Sequence, residues 1–307
     1  MKTKKMFSVK TLSVVLVSSV ALLYSCKKDN DILNSTDTQN VNSESVSASS
    51  SDETGDMTIS AISNISDTQY NGGRLATEIT GLGDIDKRFA GATVTLTLSP
   101  NSNTTTPQGT IIIDFKDGVT DVNGVIRKGQ IIINYLGRRF ANGATKIISF
   151  NGYSRNGVVF DNAMTLTLTN ESDITAVPFK IHYVLANGKL TFPDATTILR
   201  RSDIHAGWDA TTKTITHYAN QSQTVHSAGG TTRAGKEYTM DITKDLVYSF
   251  GADCLAAKVF IAVSGTKTIT AGAISYTIDY GDGSCDNTIT VTLAGKSKTI
   301  TVSGSGN

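Results

Sequence analysis

The stretch Thr93-Val94-Thr95-Leu96-Thr97-Leu98 alternates a threonine with an aliphatic residue at every step. Successive side chains of a β-strand point to opposite faces, so this alternation predicts a strand with one buried and one half-exposed face. Similar runs occur at 165–169, 213–218 and 288–293. β-Branched residues are favoured in strands, and no segment longer than three turns shows a convincing helical stripe. The best helix candidate, 58–69, is weak.

Short turn sequences connect these runs. Asn-Gly pairs at 156–157 and 187–188, and Ala294-Gly295-Lys296, predict hairpin turns, because Asn-Gly supplies the two positive φ angles of a type I′ turn. Strands joined so closely are antiparallel, since parallel crossovers need intervening helices. We therefore expect residues 57–307 to form an all-β domain, an antiparallel meander of many hairpins. The sequence leaves open whether the sheet stays open and curved, folds into a sandwich or closes into a barrel.

The N-terminus predicts a secretory signal peptide over residues 1–25. Lysines at positions 2, 4, 5 and 10 precede a run from Thr11 to Tyr24 that holds only apolar and small hydroxyl residues. This order is typical of export signals. The run is shorter than the roughly 20 apolar residues of a transmembrane helix.

Leu23-Tyr24-Ser25-Cys26 resembles a bacterial lipobox, although Tyr24 departs from the usual small residue at that position. The alternative is an ordinary signal peptide that ends in an incidental cysteine. The resemblance implies that Cys26 is acylated with palmitate-type chains, each buried CH₂ adding about 0.8 kcal/mol of membrane affinity. Many lipoproteins of Bacteroidetes-type bacteria share this layout. Lys27, in place of the Asp that marks inner-membrane retention, favours the outer membrane and leaves the leaflet, periplasmic or surface, open.

Residues 26–56 are expected to form the lipidated cysteine and a flexible, acidic tether. The segment 27–56 holds two lysines, seven acidic residues and few large apolar side chains. Such a composition buries too little surface to offset the entropy of ordering. A coil of this length spans roughly 30 Å, enough to lift a folded domain from the lipid headgroups.

Two pairs of short segments resemble each other within the chain. Ile113-Asp114-Phe115-Lys116-Asp117-Gly118 resembles Ile278-Asp279-Tyr280-Gly281-Asp282-Gly283, and 124–129 shares Gly-x-x-Arg-x-Gly with 230–235. Chance matches are the alternative in a chain rich in Thr, Gly and Asp. If the repeat is real, it divides near 175–202.

Most of residues 70–307 resembles the uncharacterised β-rich outer-membrane lipoproteins of Bacteroidetes-type bacteria. The motif that carries this resemblance is the ending Ile278-Asp279-Tyr280-Gly281-Asp282-Gly283-Ser284-Cys285-Asp286-Asn287. The resemblance implies a β-rich fold and points to no established activity.

Three cysteines are present, and lipidation of Cys26 leaves Cys254 and Cys285 as an even pair in an oxidising compartment. We predict a disulfide between them. Two buried free thiols are the alternative.

Asp279, Asp282 and Asp286 crowd one segment, and carboxylates are the oxygen ligands that calcium prefers. They are candidate ligands for a structural calcium ion, the one cofactor considered. The competing interpretation, that Asp and Gly serve hairpin turns, is favoured. The four histidines lack a metal-binding spacing such as His-Glu-x-x-His. His205, Trp208 and Asp209 are close enough in sequence to line a pocket.

The sequence predicts a non-enzymatic, lipid-anchored protein of the cell envelope with a binding or structural role, and no catalytic residues are assigned. The alternative is a surface glycan-binding lipoprotein, and a glycan hydrolase is the least favoured candidate. Expected partners are membrane lipid through Cys26 and a glycan or envelope protein. With 28 basic against 27 acidic residues, a net charge of +1 gives no reason to expect nucleic acid as a partner.

Overall fold

A computed structural model describes residue 33 and residues 35–64, 77–173, 175–220 and 225–302 of the chain. These residues belong to one compact unit, 32–307. The predicted signal peptide and Cys26 lie outside the described residues.

Seventeen strands in the described part of the chain pair into one antiparallel sheet. They are β1 (Thr77–Glu78), β2 (Thr93–Leu98), β3 (Gln108–Asp114), β4 (Val119–Thr120), β5 (Ile126–Leu136), β6 (Thr145–Arg155), β7 (Val158–Phe160), β8 (Thr165–Asn170), β9 (Phe179–Thr191), β10 (Thr197–Asp209), β11 (Thr214–His217), β12 (Ala228–Thr231), β13 (Glu237–Ser249), β14 (Ser264–Ala271), β15 (Ile274–Asp282), β16 (Thr288–Leu293) and β17 (Lys296–Thr301).

The strands follow one another in space nearly as they do in sequence. β1, β2, β3, β5, β6, β8, β9 and β10 pair in that order; the short β4 pairs with β5, and β7 lies between β6 and β9. β10 then pairs with β11 and β12, both pair with β13, and β14 to β17 complete the sheet. The predicted antiparallel meander is confirmed.

The alternation in Thr93–Leu98 works as predicted. Val94, Leu96 and Leu98 are buried, whereas the three threonines are half-buried or exposed. Leu96 lies opposite Ile111 of β3, which is itself completely buried. The apolar face of the sheet therefore turns inward.

Two of the three predicted hairpin turns are found. Asn156-Gly157 joins β6 to β7 and Ala294-Gly295 joins β16 to β17, all four residues having positive φ. The turn predicted at 187–188 is wrong, because β9 continues through both residues and Gly188 pairs with Arg200. The chain reverses instead between β9 and β10, after Thr191.

The longest helix, α1 (Ser35–Ser63), corrects the predicted tether and extends the folded unit N-terminally from residue 57. Its middle is buried on every side, including polar residues such as Ser43, Glu44 and Thr58. Hydroxyl groups bond back to the helix: Thr54 Oγ1 donates to Ser50 O (2.7 Å) and Thr58 Oγ1 to Thr54 O (2.9 Å). These hydrogen bonds lower the cost of burying the two threonine hydroxyls.

The sheet curls around α1. Side chains from β5, β10 and β14, namely Arg127, Arg200 and Lys267, all reach acidic residues of the helix. Among the described strands, the residue-by-residue pairings join β17 to β16 and β1 to β2. The described strands thus form one antiparallel sheet, and α1 is packed against its inner face.

Three short helical segments lie between strands: α2 (Leu82–Ile85), a 3-10 turn (Lys87–Phe89) and α3 (Ala252–Ala256). A disulfide joins Cys254 of α3 to Cys285 in the loop between β15 and β16, with a Cα–Cα distance of 4.8 Å. This is the pairing expected from the even number of cysteines.

The two similar turns at 114–118 and 279–283 share their local conformation. Lys116 and Gly281 both have positive φ. Asp114 Oδ1 accepts from Lys116 N (2.7 Å), and Asp279 Oδ1 accepts from Gly281 N (2.8 Å). The division expected near 175–202 falls within β9 and β10, whose pairing leaves no break in the sheet.

Candidate functional site

Acidic residues of α1 meet basic residues of the surrounding chain in the interior. The contacts are Glu44 with Lys267 and Arg200, Asp52 with the imidazole of His217, Glu53 with Arg127 and Arg155, and Asp56 with Arg88. Removing one partner from a buried pair leaves an uncompensated charge. The pairs therefore fix the position of α1 inside the sheet.

Glu53 shows how these contacts set ionisation. Burial alone would raise the pKa of its carboxyl group. The guanidinium groups of Arg127 and Arg155, the latter 2.5 Å from Glu53 Oε2, outweigh burial and lower the pKa to about 2. Glu53 is therefore ionised in the folded protein at neutral pH.

A cleft of about 740 Å³ opens at the C-terminal end of α1. Its aromatic lining comes from Trp208 at the end of β10 and Phe250 after β13. Trp208 Nε1 donates to Asp56 Oδ1 (3.2 Å), and its ring stacks on Phe140 with 6.4 Å between centroids. These contacts hold the indole in one orientation at the cleft.

Arg88 forms the charged centre of the cleft wall. Its guanidinium contacts Asp56 Oδ2 (2.5 Å) and Asp86 Oδ2 (2.6 Å) and lies 5.4 Å from the centroid of Phe250. The cation is therefore neutralised by two carboxylates and covered by an aromatic face.

The rim of the cleft is unlike its wall. Ile85 and Val122 are 68% and 70% exposed, an unusual arrangement for large aliphatic side chains beside a concavity. Lys87 and Lys213 also line the cleft and form no ion pair with any described residue. The cleft thus offers apolar contact surface and two uncompensated positive charges.

A second candidate site lies on the outer face of the sheet. His182 of β9 is the direct cross-strand neighbour of His205 of β10, and Asp203 lies two residues before His205. One ligand atom from each lies within 4.8 Å of the others, the only such group of three or more His, Cys, Asp or Glu residues in the described ranges.

No sequence motif marks this group, because its residues come together across two paired strands and not at a regular spacing along the chain. Of the three residues expected to line a pocket, His205 and Trp208 lie at different sites. His205 faces outward beside His182, and Trp208 lines the cleft. Asp209 accepts from Thr211 N (2.8 Å) in the turn after β10.

The carboxylates considered for calcium serve their own turns. Asp279 Oδ1 accepts from Gly281 N, Asp282 Oδ1 from Ser284 N (3.1 Å) and Asp286 Oδ1 from Thr288 N (2.7 Å). The hydrogen bonds from Ser284 also lower the pKa of Asp282. Such carboxylate-to-backbone hydrogen bonds are typical of Asp residues in turns.

No protein-family model, curated protein or solved structure matches the chain. None of the helices in the described residues is long and apolar enough to cross a membrane.

Proposed function

We propose that the chain is a non-enzymatic protein of the cell envelope, anchored to the outer membrane by acyl chains on Cys26, that binds a ligand in the cleft beside Trp208. The cleft carries this proposal. Its volume falls within the range of about 300–1,000 Å³ typical of small-molecule sites. It also combines aromatic surface with a few charged groups, the composition that such sites share.

The anchor is supported by the sequence that precedes the folded unit. Lysines, an apolar run and Leu23-Tyr24-Ser25-Cys26 follow the order of a lipoprotein signal. Leu33, only seven residues after Cys26, is 1% exposed and belongs to the core of the folded unit. An acyl anchor on Cys26 would therefore hold the folded unit close to the membrane.

The location of the cleft supports a role in binding. The interior of the sheet is occupied by α1, so a ligand has to be taken up at the periphery. The uncompensated charges of Lys87 and Lys213 favour an anionic ligand. Contacts between that ligand and the side chains of Ile85 and Val122 would remove water from the ligand and so strengthen its attraction to the lysines.

A glycan is the alternative ligand class, favoured by one observation. Trp208 presents an aromatic side chain among hydrogen-bonding groups in a cleft. The lysines would then select sugars that carry carboxylate or sulfate groups. An envelope protein as partner and a glycan hydrolase are the remaining candidates.

Acylation is tested by growing cells with an alkyne-labelled fatty acid and fractionating their membranes. We expect the label on the wild-type chain in the outer-membrane fraction and none on Cys26→Ser. Protease added to intact cells then distinguishes the surface from the periplasmic leaflet. Label on the Cys26→Ser variant, or none on the wild type, contradicts the proposed anchor.

Ligand binding is tested through Trp208, the single tryptophan of the chain and hence a specific fluorescence reporter. We expect a saturable change with members of a panel of acidic and neutral oligosaccharides and small anions. Lys213→Ala should weaken it, whereas Lys180→Ala, an exposed lysine of β9, serves as the matched control. A silent panel contradicts binding in the cleft, and newly formed reducing ends would favour the hydrolase.

A further inference from the structure

The outer face of β8, β9 and β10 brings four chemically reactive side chains together. His182 and His205 are directly opposed in the antiparallel register, and Asp203 lies on the same face of β10 as His205. Glu171 follows β8 directly, and its amide donates to Lys180 O (2.9 Å). The positions of all four residues are thus fixed by paired backbone.

The side chains of the two histidines are already aligned. Their imidazole rings are stacked with 4.4 Å between centroids and 5° between planes. His182 Nε2 lies 2.6 Å from Asp203 Oδ1. Opposed residues on neighbouring strands interact directly, and two protonated imidazoles would repel each other here.

Glu171 selects which nitrogen of His205 is free. Its Oε2 lies 2.9 Å from Nδ1 of His205. A carboxylate on Nδ1 holds the proton there and leaves the lone pair of Nε2 available, the arrangement that accompanies most metal-binding histidines. This contact is the second observation, independent of the cluster itself, that indicates a ligand.

We propose that His182, Asp203 and His205 form a binding site for a first-row divalent transition-metal ion, with Glu171 as the positioning residue. Imidazole nitrogens suit Zn²⁺, Cu²⁺, Ni²⁺ and Co²⁺ better than Ca²⁺ or Mg²⁺. The metal replaces the proton between His182 and Asp203, and that proton goes to solvent.

The geometry requires only small side-chain movements. Ligand atoms around a tetrahedral Zn²⁺ with bonds of about 2.0–2.1 Å are about 3.3 Å apart. Here one ligand atom from each residue, an imidazole nitrogen or a carboxylate oxygen, lies within 4.8 Å of the others. Asp203 and His205 have more than half of their side-chain surface exposed, so they can rotate to close the site without disturbing the core.

Three protein ligands leave a fourth tetrahedral position for water or for a group from a bound partner. Asp203 and His205 border a depression of about 370 Å³ that also contains His226. His226 Nδ1 is 2.7 Å from Asp241 Oδ2, outside the group of three ligands. It therefore supplies a matched control on the same surface.

The site is independent of the anchor and of the cleft, so it is tested separately. Residues 26–307 with Cys26→Ser, purified without a polyhistidine tag, are titrated with Zn²⁺ by calorimetry and with Co²⁺ by visible absorption. We expect one ion per chain and intense d–d bands from four-coordinate Co²⁺. His182→Gln, His205→Gln and Asp203→Asn should each weaken Zn²⁺ binding at least tenfold.

Two further variants separate a metal site from general surface histidines. Glu171→Gln should weaken binding by about 10–100-fold and keep the stoichiometry. His226→Gln should bind as the wild type does. The melting temperature without metal shows that each variant is folded. Absence of saturable binding, or equal binding by the wild type and the His182→Gln variant, overturns the proposal.

Discussion

Glu44 of α1 and Lys267 of β14 form an ion pair inside the protein although 223 residues separate them in sequence. The side chains are 3% and 0% exposed, so both charges are removed from water. Arg200 lies 3.5 Å from the other oxygen of Glu44, which makes the carboxylate the shared partner of two buried cations.

Replacement of Glu44 should destabilise the protein more than replacement of Lys267. Glu44→Gln leaves two buried cations without a counter-charge and should cost about 3–5 kcal/mol of unfolding free energy. Lys267→Met leaves Glu44 neutralised by Arg200, so the loss should be smaller. Urea denaturation measures both. Lys189→Met, which breaks the exposed pair with Asp161, is the control and should cost less than about 1 kcal/mol. Equal losses for Glu44→Gln and the control would contradict the buried pair.

Gly55→Ala distinguishes a packed helix from a flexible tether. A Cβ atom at residue 55 would lie 2.7 Å from Cε1 of the buried Tyr183 ring. We expect a loss of about 1–3 kcal/mol from this overpacking. In an unpacked helix the same substitution would stabilise by about 1 kcal/mol, and in a coil it would be silent.

The control for Gly55→Ala is Ser47→Ala in the same helix. Ser47 is buried, and its hydroxyl has no hydrogen-bond partner among the described residues. Removal of an unsatisfied hydroxyl should leave the stability unchanged or raise it. Thermal unfolding compares the two variants, and an increase in stability for both would indicate that α1 is not enclosed.

Glu53 should make the protein sensitive to acid. Its pKa is about 2 in the folded state and about 4.5 in the unfolded chain. The unfolded state therefore binds the proton first as pH falls, and the contribution of Glu53, roughly 3 kcal/mol, is present above pH 4.5 and lost towards pH 2. Denaturation midpoints between pH 6 and pH 2 measure this slope. Glu53→Gln should be less stable at pH 6 and show a shallower slope, and an unchanged slope would be the contrary result.

Lys146 should make the stability of the protein depend on pH in the alkaline range. Burial lowers the pKa of its amino group to about 7, and Nζ donates to Arg139 O (3.0 Å). Between pH 7 and 10.5 the unfolded state binds more protons, so stability should rise with pH across this window. Lys146→Met should remove the rise, whereas Lys128→Met at an exposed site should keep it. If the stability of Lys146→Met still rises with pH in this range, other titratable groups cause the rise.

Strands were predictable where the determinants are local. The alternation in Thr93–Leu98 and the Asn156-Gly157 turn depend on neighbours in the sequence, and both are found as predicted. The helix was not predictable in this way, because the burial of Glu44 and Glu53 is compensated by cations that lie far along the chain. From its composition alone, the segment that forms α1 is therefore predicted to be a flexible tether.

The proximity of the candidate metal ligands could not be predicted because the turn between β9 and β10 was placed wrongly. A two-residue turn at 187–188 would place His182 opposite Pro193, because register follows from turn position. The actual reversal after Thr191, with an irregularity between Arg200 and Ser202, places His182 opposite His205. With the wrong register, His182 and His205 are not expected to be neighbours, so the group is not predicted from the sequence.

The position of α1 at the start of the unit constrains the order in which the protein acquires its structure. Synthesis proceeds from the N-terminus, so α1 emerges before the strands whose side chains neutralise its carboxylates. Glu44 of α1 can be neutralised by Lys267 only after β14 has been synthesised, and β14 lies near the C-terminal end of the described chain. Closing contacts over such separations slows folding. The ion pairs that enclose α1 therefore cannot be completed until β14 has been synthesised, so the burial of α1 is a late event in the folding of this chain.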